Sequence, residues 1–294
     1  MLTFLTTNPR FFRFWIATWC SELGDSLRNF AMMFLVLDMT NNSGVHYSIT
    51  LFCEYGTILL FGLFIGVIAD RWEKKRTVSM AIVSRALVMT IFMLGVYVQS
   101  IWLVYLAATL SALGTVFFRA SQSAFVMQFV PKEDRAIAAS LRQMSLSVLT
   151  MIGPMIGTFI YVQAGASLTL LGTVVLFVLA GGLIWSIQIE APSRDQQHPQ
   201  QIERTKSSIL QELGEGLRYL WNNTYVRPIL FAHSMFGLVS GVMNVMDIFV
   251  ITEYFNLPRE AIAIALPWQA AGMFVGSIVV KRFTLPHASL MSFA

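Results

Sequence analysis

Gly66-Val67-Ile68-Ala69-Asp70-Arg71-Trp72-Glu73-Lys74-Lys75-Arg76 decides the reading of this chain, because it sets two acids and four cations directly after a long apolar run. Crossing the hydrocarbon core takes about 20 predominantly apolar residues as a helix. The run before the turn, His46 to Ala69, meets that length, and so do seven others. These are Phe12 to Leu37, Thr77 to Val98, Ile101 to Ser123, Ala138 to Val162, Ser167 to Ile187, Pro228 to Thr252 and Ala261 to Val280. Cations collect in the cytoplasmic loops of membrane proteins. With the N-terminus inside, the cytoplasmic segments carry Arg10, Arg13, Arg71, Lys74, Lys75, Arg76, Lys132, Arg135, Arg194, Arg204, Lys206, Arg218, Arg227, Lys281 and Arg282, and the other side carries Arg259 alone. Both termini are therefore expected in the cytoplasm.

Composition agrees: 56% of the 294 residues are hydrophobic and 12% are charged, where a soluble domain has about 25% charged. A net charge of +4 is explained by the orientation rule, since the basic residues sit in turns rather than along one face, so nucleic-acid binding is not indicated. The N-terminus has no short apolar stretch with a small-residue cleavage site, and its first span holds Glu22, Asp25 and Arg28, which makes it a retained helix. Cys20 and Cys53 lie inside apolar segments without metal or disulfide spacing and read as packing residues. No GxxxxGK[ST] loop, His-Glu-x-x-His or Gly-x-Ser-x-Gly motif occurs, so an ATP-driven pump in cis and an intramembrane enzyme both lack their parts. No cofactor or metal is expected.

The chain divides at a polar stretch. Residues 1–187 form a six-helix bundle, 188–227 a cytoplasmic linker with Pro192, Pro199 and a Gln/His cluster, and 228–294 the first two helices of a second bundle. Ile209, Leu213, Leu217 and Leu220 have helical spacing, compatible with an amphipathic helix in the membrane interface or a cytoplasmic extension of the seventh span. A repeat links the halves. Gly62, Gly66 and Arg71 recur as Gly272, Gly276 and Lys281, and a polar stripe on the first span (Thr18, Glu22, Asp25, Asn29) is matched on the seventh (His233, Gly237, Ser240, Asn244, Asp247). Steps of three and four residues keep each stripe on one helix face.

Charges inside a bilayer cost about 2.5 to 3.5 kcal/mol each on insertion scales and so mark cavities or partners. Glu22 and Asp25 are one turn apart with Arg28 a turn further. Two neighbouring carboxylates raise one proton affinity while the arginine opposes it. That suits a proton-binding pair, with Asp25 first because it is deeper and Asp247 as its counterpart. The same residues also suit a static network in which Arg28 neutralises an acid, or contact with a cationic substrate. Arg85 stands about 13 Å into the third span, where it meets an acid or an aqueous cavity, or snorkels to the cytoplasmic surface; snorkelling is the plainer expectation. Gly153-Pro154-Met155-Ile156-Gly157 in the fifth span loses a backbone bond at proline and has two glycines a turn apart, a kinked seam for close helix packing.

These residues resemble a known family. The turn Gly66 to Arg76 is similar to the Gly-x-x-x-Asp-Arg-x-Gly-Arg-Lys motif of the major facilitator superfamily, with Glu73 where glycine is usual. Gly153 to Gly157 resembles the Gly-Pro-x-x-Gly motif of its antiporters. Phe118 to Ala124, Val130 to Glu133, Ala138 to Ser140 and Glu215 to Trp221 look like its drug:proton antiporter branch, which includes macrolide-efflux and enterobactin-exporter-like proteins. The resemblance covers about residues 8 to 283.

It implies an all-α membrane protein of the bacterial inner membrane that moves a hydrophobic, drug-like or siderophore-like molecule against protons by alternating access. It also implies a gate at the charged turn: Gly66, Asp70 and Arg71, with Lys74, Arg76 and Arg119 in support. Gly153, Pro154 and Gly157 form the antiporter seam, and Arg28 and Arg85 are expected as cavity charges. The family's twelve helices outnumber the eight spans read here. The chain is thus expected to be either the front part of such a carrier or a truncated, non-transporting product, whether a remnant or a piece that assembles with a partner chain supplying the missing helices.

Overall fold

The computed structural model describes residues 2–188, 209–268 and 271–272. All regular structure among the described residues is helical. A short α1 (Leu2–Thr7) leads into α2 (Pro9–Met39), followed by α3 (Gly44–Arg71), α4 (Lys74–Val98), α5 (Ile101–Val126) and α6 (Arg135–Trp185). After the linker come α7 (Ile209–Asn222), α8 (Val226–Phe249), a π-helical turn at Val250–Tyr254 and a 3-10 turn at Arg259–Ala261. The expected spans coincide with these helices. α6 joins two of them: its 51 residues break at Gly165, whose φ of 75° and ψ of 175° only glycine adopts freely.

Four helices among the described residues are long and apolar enough to cross a membrane on length and composition: α4, α5, the double-length α6, and α8 with its π-helical extension. α2 and α3 have 31 and 28 residues. Their length suffices as well, and Asp25, Arg28 and Glu54 of these two helices are paired inside the bundle, as shown below. Half of the eighth expected span lies outside the described residues, as do Gly276 and Lys281.

α2 packs along α6, α4 lies against both α5 and α6, and α3 lies against α5. At one end Phe14 of α2 meets Phe125 and Phe129 with ring centroids 5.9 Å away from each. Higher up, α2 contributes an almost continuous buried run from Ala31 to Leu37. Large apolar side chains on the opposite faces, such as Phe52, Leu59 and Trp102, point outward, as expected where the solvent is lipid.

The linker helix is separate from the seventh span. Asn223 ends α7, and its side-chain oxygen accepts the N–H groups of Tyr225 and Val226 at 3.0 and 3.2 Å, starting α8 afresh. This corrects the extension reading. Amphipathic α7 packs on α3, and within α8 only Ile248 is buried.

Candidate functional site

The first span turns its charges into the bundle. Arg28 is 2% exposed and spends its donors on three neighbours: Glu54 Oε1 of α3 at 2.6 Å, Asn29 Oδ1 at 2.6 Å and Ser111 Oγ of α5 at 2.5 Å. Its Nε lies 3.9 Å from Asp25 Oδ1. Arg85 of α4 is fully buried and pairs with the same Asp25 oxygen, while its Nη1 donates to Ser21 Oγ at 3.0 Å. Phe177 of α6 covers its guanidinium face at 4.2 Å. Two carboxylates thus meet two guanidinium groups, and the interior stays neutral, the condition under which buried charge is tolerated.

Small residues make the room. A Cβ on Gly114 would stand 2.5 Å from Arg85 Cγ, and one on Gly24 would stand 2.8 Å from Phe177 Cε1. Arg85 therefore does not snorkel; it and Arg28 are both interior, because acids lie within reach and the surface does not. Sequence reasoning missed Glu54, the partner that completes the network. Its signal was available, since it is the one carboxylate inside the second span.

Glu22 behaves differently. It is half-buried, makes no ion pair within 4 Å among the described residues, and lies in the electrostatic range of Arg119, Arg85, Arg142 and Asp25. Arg119 is exposed, and Arg142 is half-buried with its Nε unbonded. Thr18 of the same stripe is buried and bonds back to Phe14 O. On α8, Asp247 is half-buried within electrostatic range of Tyr47, itself a neighbour of Glu54. His233, Gly237 and Asn244 are exposed.

The seam of the fifth span packs directly on α2. A Cβ on Gly153 would collide with Ser26 Oγ, and one on Gly157 would lie 2.9 Å from Phe30 Cδ2. Pro154 sits between them. One end of the same contact is pinned by Ser145, whose Oγ accepts the indole N–H of Trp15 at 2.8 Å and of Trp19 at 2.9 Å.

At the charged turn, α3 ends at Arg71 and α4 begins at Lys74, with Lys74 Nζ donating to Ala69 O at 2.7 Å. Glu73 occupies the N-cap position of α4, where a negative charge faces the positive helix end. Arg71 is half-buried and Arg76 exposed, while the side chain of Asp70 lies outside the described residues. A Cβ on Gly66 would meet nothing within 4 Å. The neighbours of Arg119 named above belong to the helices rather than to this turn.

Compared with known proteins, the chain matches the profile described as Major Facilitator Superfamily over residues 14–294. The chain belongs to the major facilitator superfamily. Its all-α fold is that family's, and its apolar helices make it a multi-pass membrane protein. An uncharacterized MFS-type transporter, YkuC of Bacillus subtilis, is 27% identical over 289 residues, which is 95% of this chain and 66% of the relative. Macrolide efflux protein A of Streptococcus pyogenes is 22% identical over 278 residues, 93% of this chain and 66% of that protein. Multidrug resistance protein MdtH of Yersinia pestis is 27% identical over 211 residues, 71% and 47% of the two chains. The chain thus spans just under two thirds of the length of the first two relatives.

Proposed function

We propose that this major facilitator protein takes part in proton-coupled export of a hydrophobic small molecule across the bacterial inner membrane, with both termini cytoplasmic. The observation that carries the reading is the seating of the Gly153-Pro154-Gly157 seam on Ser26 and Phe30, beside Asp25, Arg28 and Glu22. A seam that flexes against the helix bearing the membrane acids is the physical link between proton uptake and rocking of the bundle. The efflux direction and the drug-like substrate class follow the relatives named for macrolide efflux and multidrug resistance. Within this scheme Asp25 is held by Arg85 and orders the bundle. Glu22, unpaired and half-exposed, is the better-placed proton carrier, with Asp247 as a second candidate. Residues 1–187 act as one rocking bundle, 188–227 as the linker and 228–294 as part of the second bundle, and the Gly66 to Arg76 turn with Asp70 governs the cytoplasmic gate.

The test is transport in proteoliposomes with an imposed pH gradient and a labelled macrolide or a fluorescent dye. Glu22→Gln is expected to abolish gradient-driven uptake while leaving gradient-free substrate exchange. Gradient-driven uptake that survives the substitution removes Glu22 from the mechanism.

The exposed polar stripe on α8 favours a second reading in which helices from a partner chain cover it. Cross-linking from Asn244→Cys in native membranes to a different polypeptide would support this.

A further inference from the structure

Far from the interior network, Asp38 at the end of α2 receives two donors, one on each oxygen. Tyr161 O–H of α6 donates to Oδ2 at 2.9 Å, and Arg259 Nη1 donates to Oδ1 at 2.5 Å. Tyr161 belongs to the same bundle as Asp38, while Arg259 comes from the turn after the seventh span, 221 residues along the chain. Arg259 is the lone cation that the sequence places on the non-cytoplasmic side.

The two donors have unequal permanence. Phe30, Phe34 and Asp38 are spaced by four along one face of α2 and run beside the fifth span: Gly157 packs on Phe30, the Phe34 and Tyr161 rings lie 5.0 Å apart, and Tyr161 reaches Asp38. This ladder holds the tyrosine in place whatever the second bundle does. Arg259 has no such support. Its side chain is 37% exposed, that of Asp38 is 43% exposed, and a cavity of about 410 Å³ lined by Leu37, Asn42, Phe249, Glu253 and Arg259 opens beside the pair. A π-helical turn, Val250–Tyr254, leads into the segment that carries the arginine.

We infer that Asp38, Tyr161 and Arg259 form a reversible external latch between the two bundles, with Tyr161 keeping the carboxylate oriented and hydrogen-bonded when Arg259 leaves. An exposed ion pair is worth only about 0 to 1 kcal/mol. That strength suits a contact that breaks on every opening, and the retained tyrosine donor keeps the carboxylate oriented for the arginine's return. The latch rests on the alternating-access reading above and adds to it the residues that close the external side.

The experiment reads distance rather than transport. Spin labels at Val45→Cys and Leu257→Cys, both exposed positions, are introduced with Cys20 and Cys53 replaced by serine, and their separation is measured in lipid nanodiscs. Asp38→Asn and Arg259→Gln are each expected to raise the longer-distance population about 2- to 5-fold. Salt at about 1 M, where screening acts within about 3 Å, should do the same to the parent protein and little to either variant. The exchanged pair Asp38→Arg with Arg259→Asp should restore the short distance. Tyr161→Phe should give a smaller rise that remains salt-sensitive. Distributions unchanged in both single variants, or an exchanged pair no better than either one, overturn the latch. A latch that responds in a protein that moves no substrate refutes the transport reading alone, and transport without a latch response refutes the latch alone.

Discussion

Removing Arg85 and removing Asp25 should each harm the protein far more than removing both. Their ion pair lies in the interior, with Arg85 fully buried and the Asp25 side chain 14% exposed. Unit charges about 4 Å apart interact by about 4 kcal/mol at an effective dielectric of about 20. Deleting one member of a buried pair typically costs about 3 to 5 kcal/mol, because the survivor is left uncompensated. In Arg85→Met, Asp25 keeps only Arg28 at 3.9 Å, and Arg28 is already engaged by Glu54. In Asp25→Asn, Arg85 keeps Ser21 and the Phe177 face but no ion-paired carboxylate, with Glu22 only at longer electrostatic range. A carboxyl can be neutralised by a proton and a guanidinium cannot, so Asp25→Asn is the harsher change. The double variant restores neutrality and should lose about 1 to 2 kcal/mol, a coupling of several kcal/mol in the cycle. Thermal unfolding of the detergent-purified proteins, followed by tryptophan fluorescence, should place both singles on the order of 10 °C below the parent. The double should recover most of that. A double variant as unstable as the two single losses added together would refute the neutral-network reasoning.

Gly114→Val should reproduce the Arg85→Met loss, since its Cβ would meet Arg85 Cγ at 2.5 Å; added to Arg85→Ala, which removes the clashing atom, it should lower the melting point little further in the same assay. Glu54→Leu strands Arg28 in the bundle and is expected to cost about 3 to 5 kcal/mol, with Arg28→Met as the compensating change. Ser145→Ala leaves two indole N–H groups without their acceptor, a loss of about 1 to 3 kcal/mol per group still buried, and should shift the tryptophan emission along with the melting point. Gly157→Leu drives into Phe30, 2.9 Å from the glycine's ideal Cβ; the protein should still insert but lose any gradient-driven transport in proteoliposomes.

The spans were legible because membrane crossing is a problem of length and apolarity that each helix solves by itself. Pro9, the Gly165 break and the Asn223 cap all fall where the composition changes. Motifs were legible too: the charged turn and the Gly-Pro seam are contiguous in the chain, and they led to the family that the whole-chain match then showed. The site was only half legible. Its members Glu22, Asp25, Arg28 and Arg85 stood out as charges in apolar runs, yet the spacing left a proton pair and a static network open and made snorkelling the plainer course for Arg85. Glu54 escaped notice because it has no charged neighbour along its own helix.

By itself, the sequence determined which segments are long and apolar enough to enter the membrane and which stretches bend or turn, since these depend on local composition and on spacing along one helix. Only the tertiary structure decided the pairings: Arg28 with Glu54, Arg85 with Asp25, the seam with Ser26 and Phe30, and Asp38 with both Tyr161 and Arg259. The reason is physical. A buried charge is stabilised by whichever opposite charge lies within a few ångströms, and that distance is set by how helices far apart in the chain cross. Periodicity shows which face a residue occupies, but not which helix packs against that face.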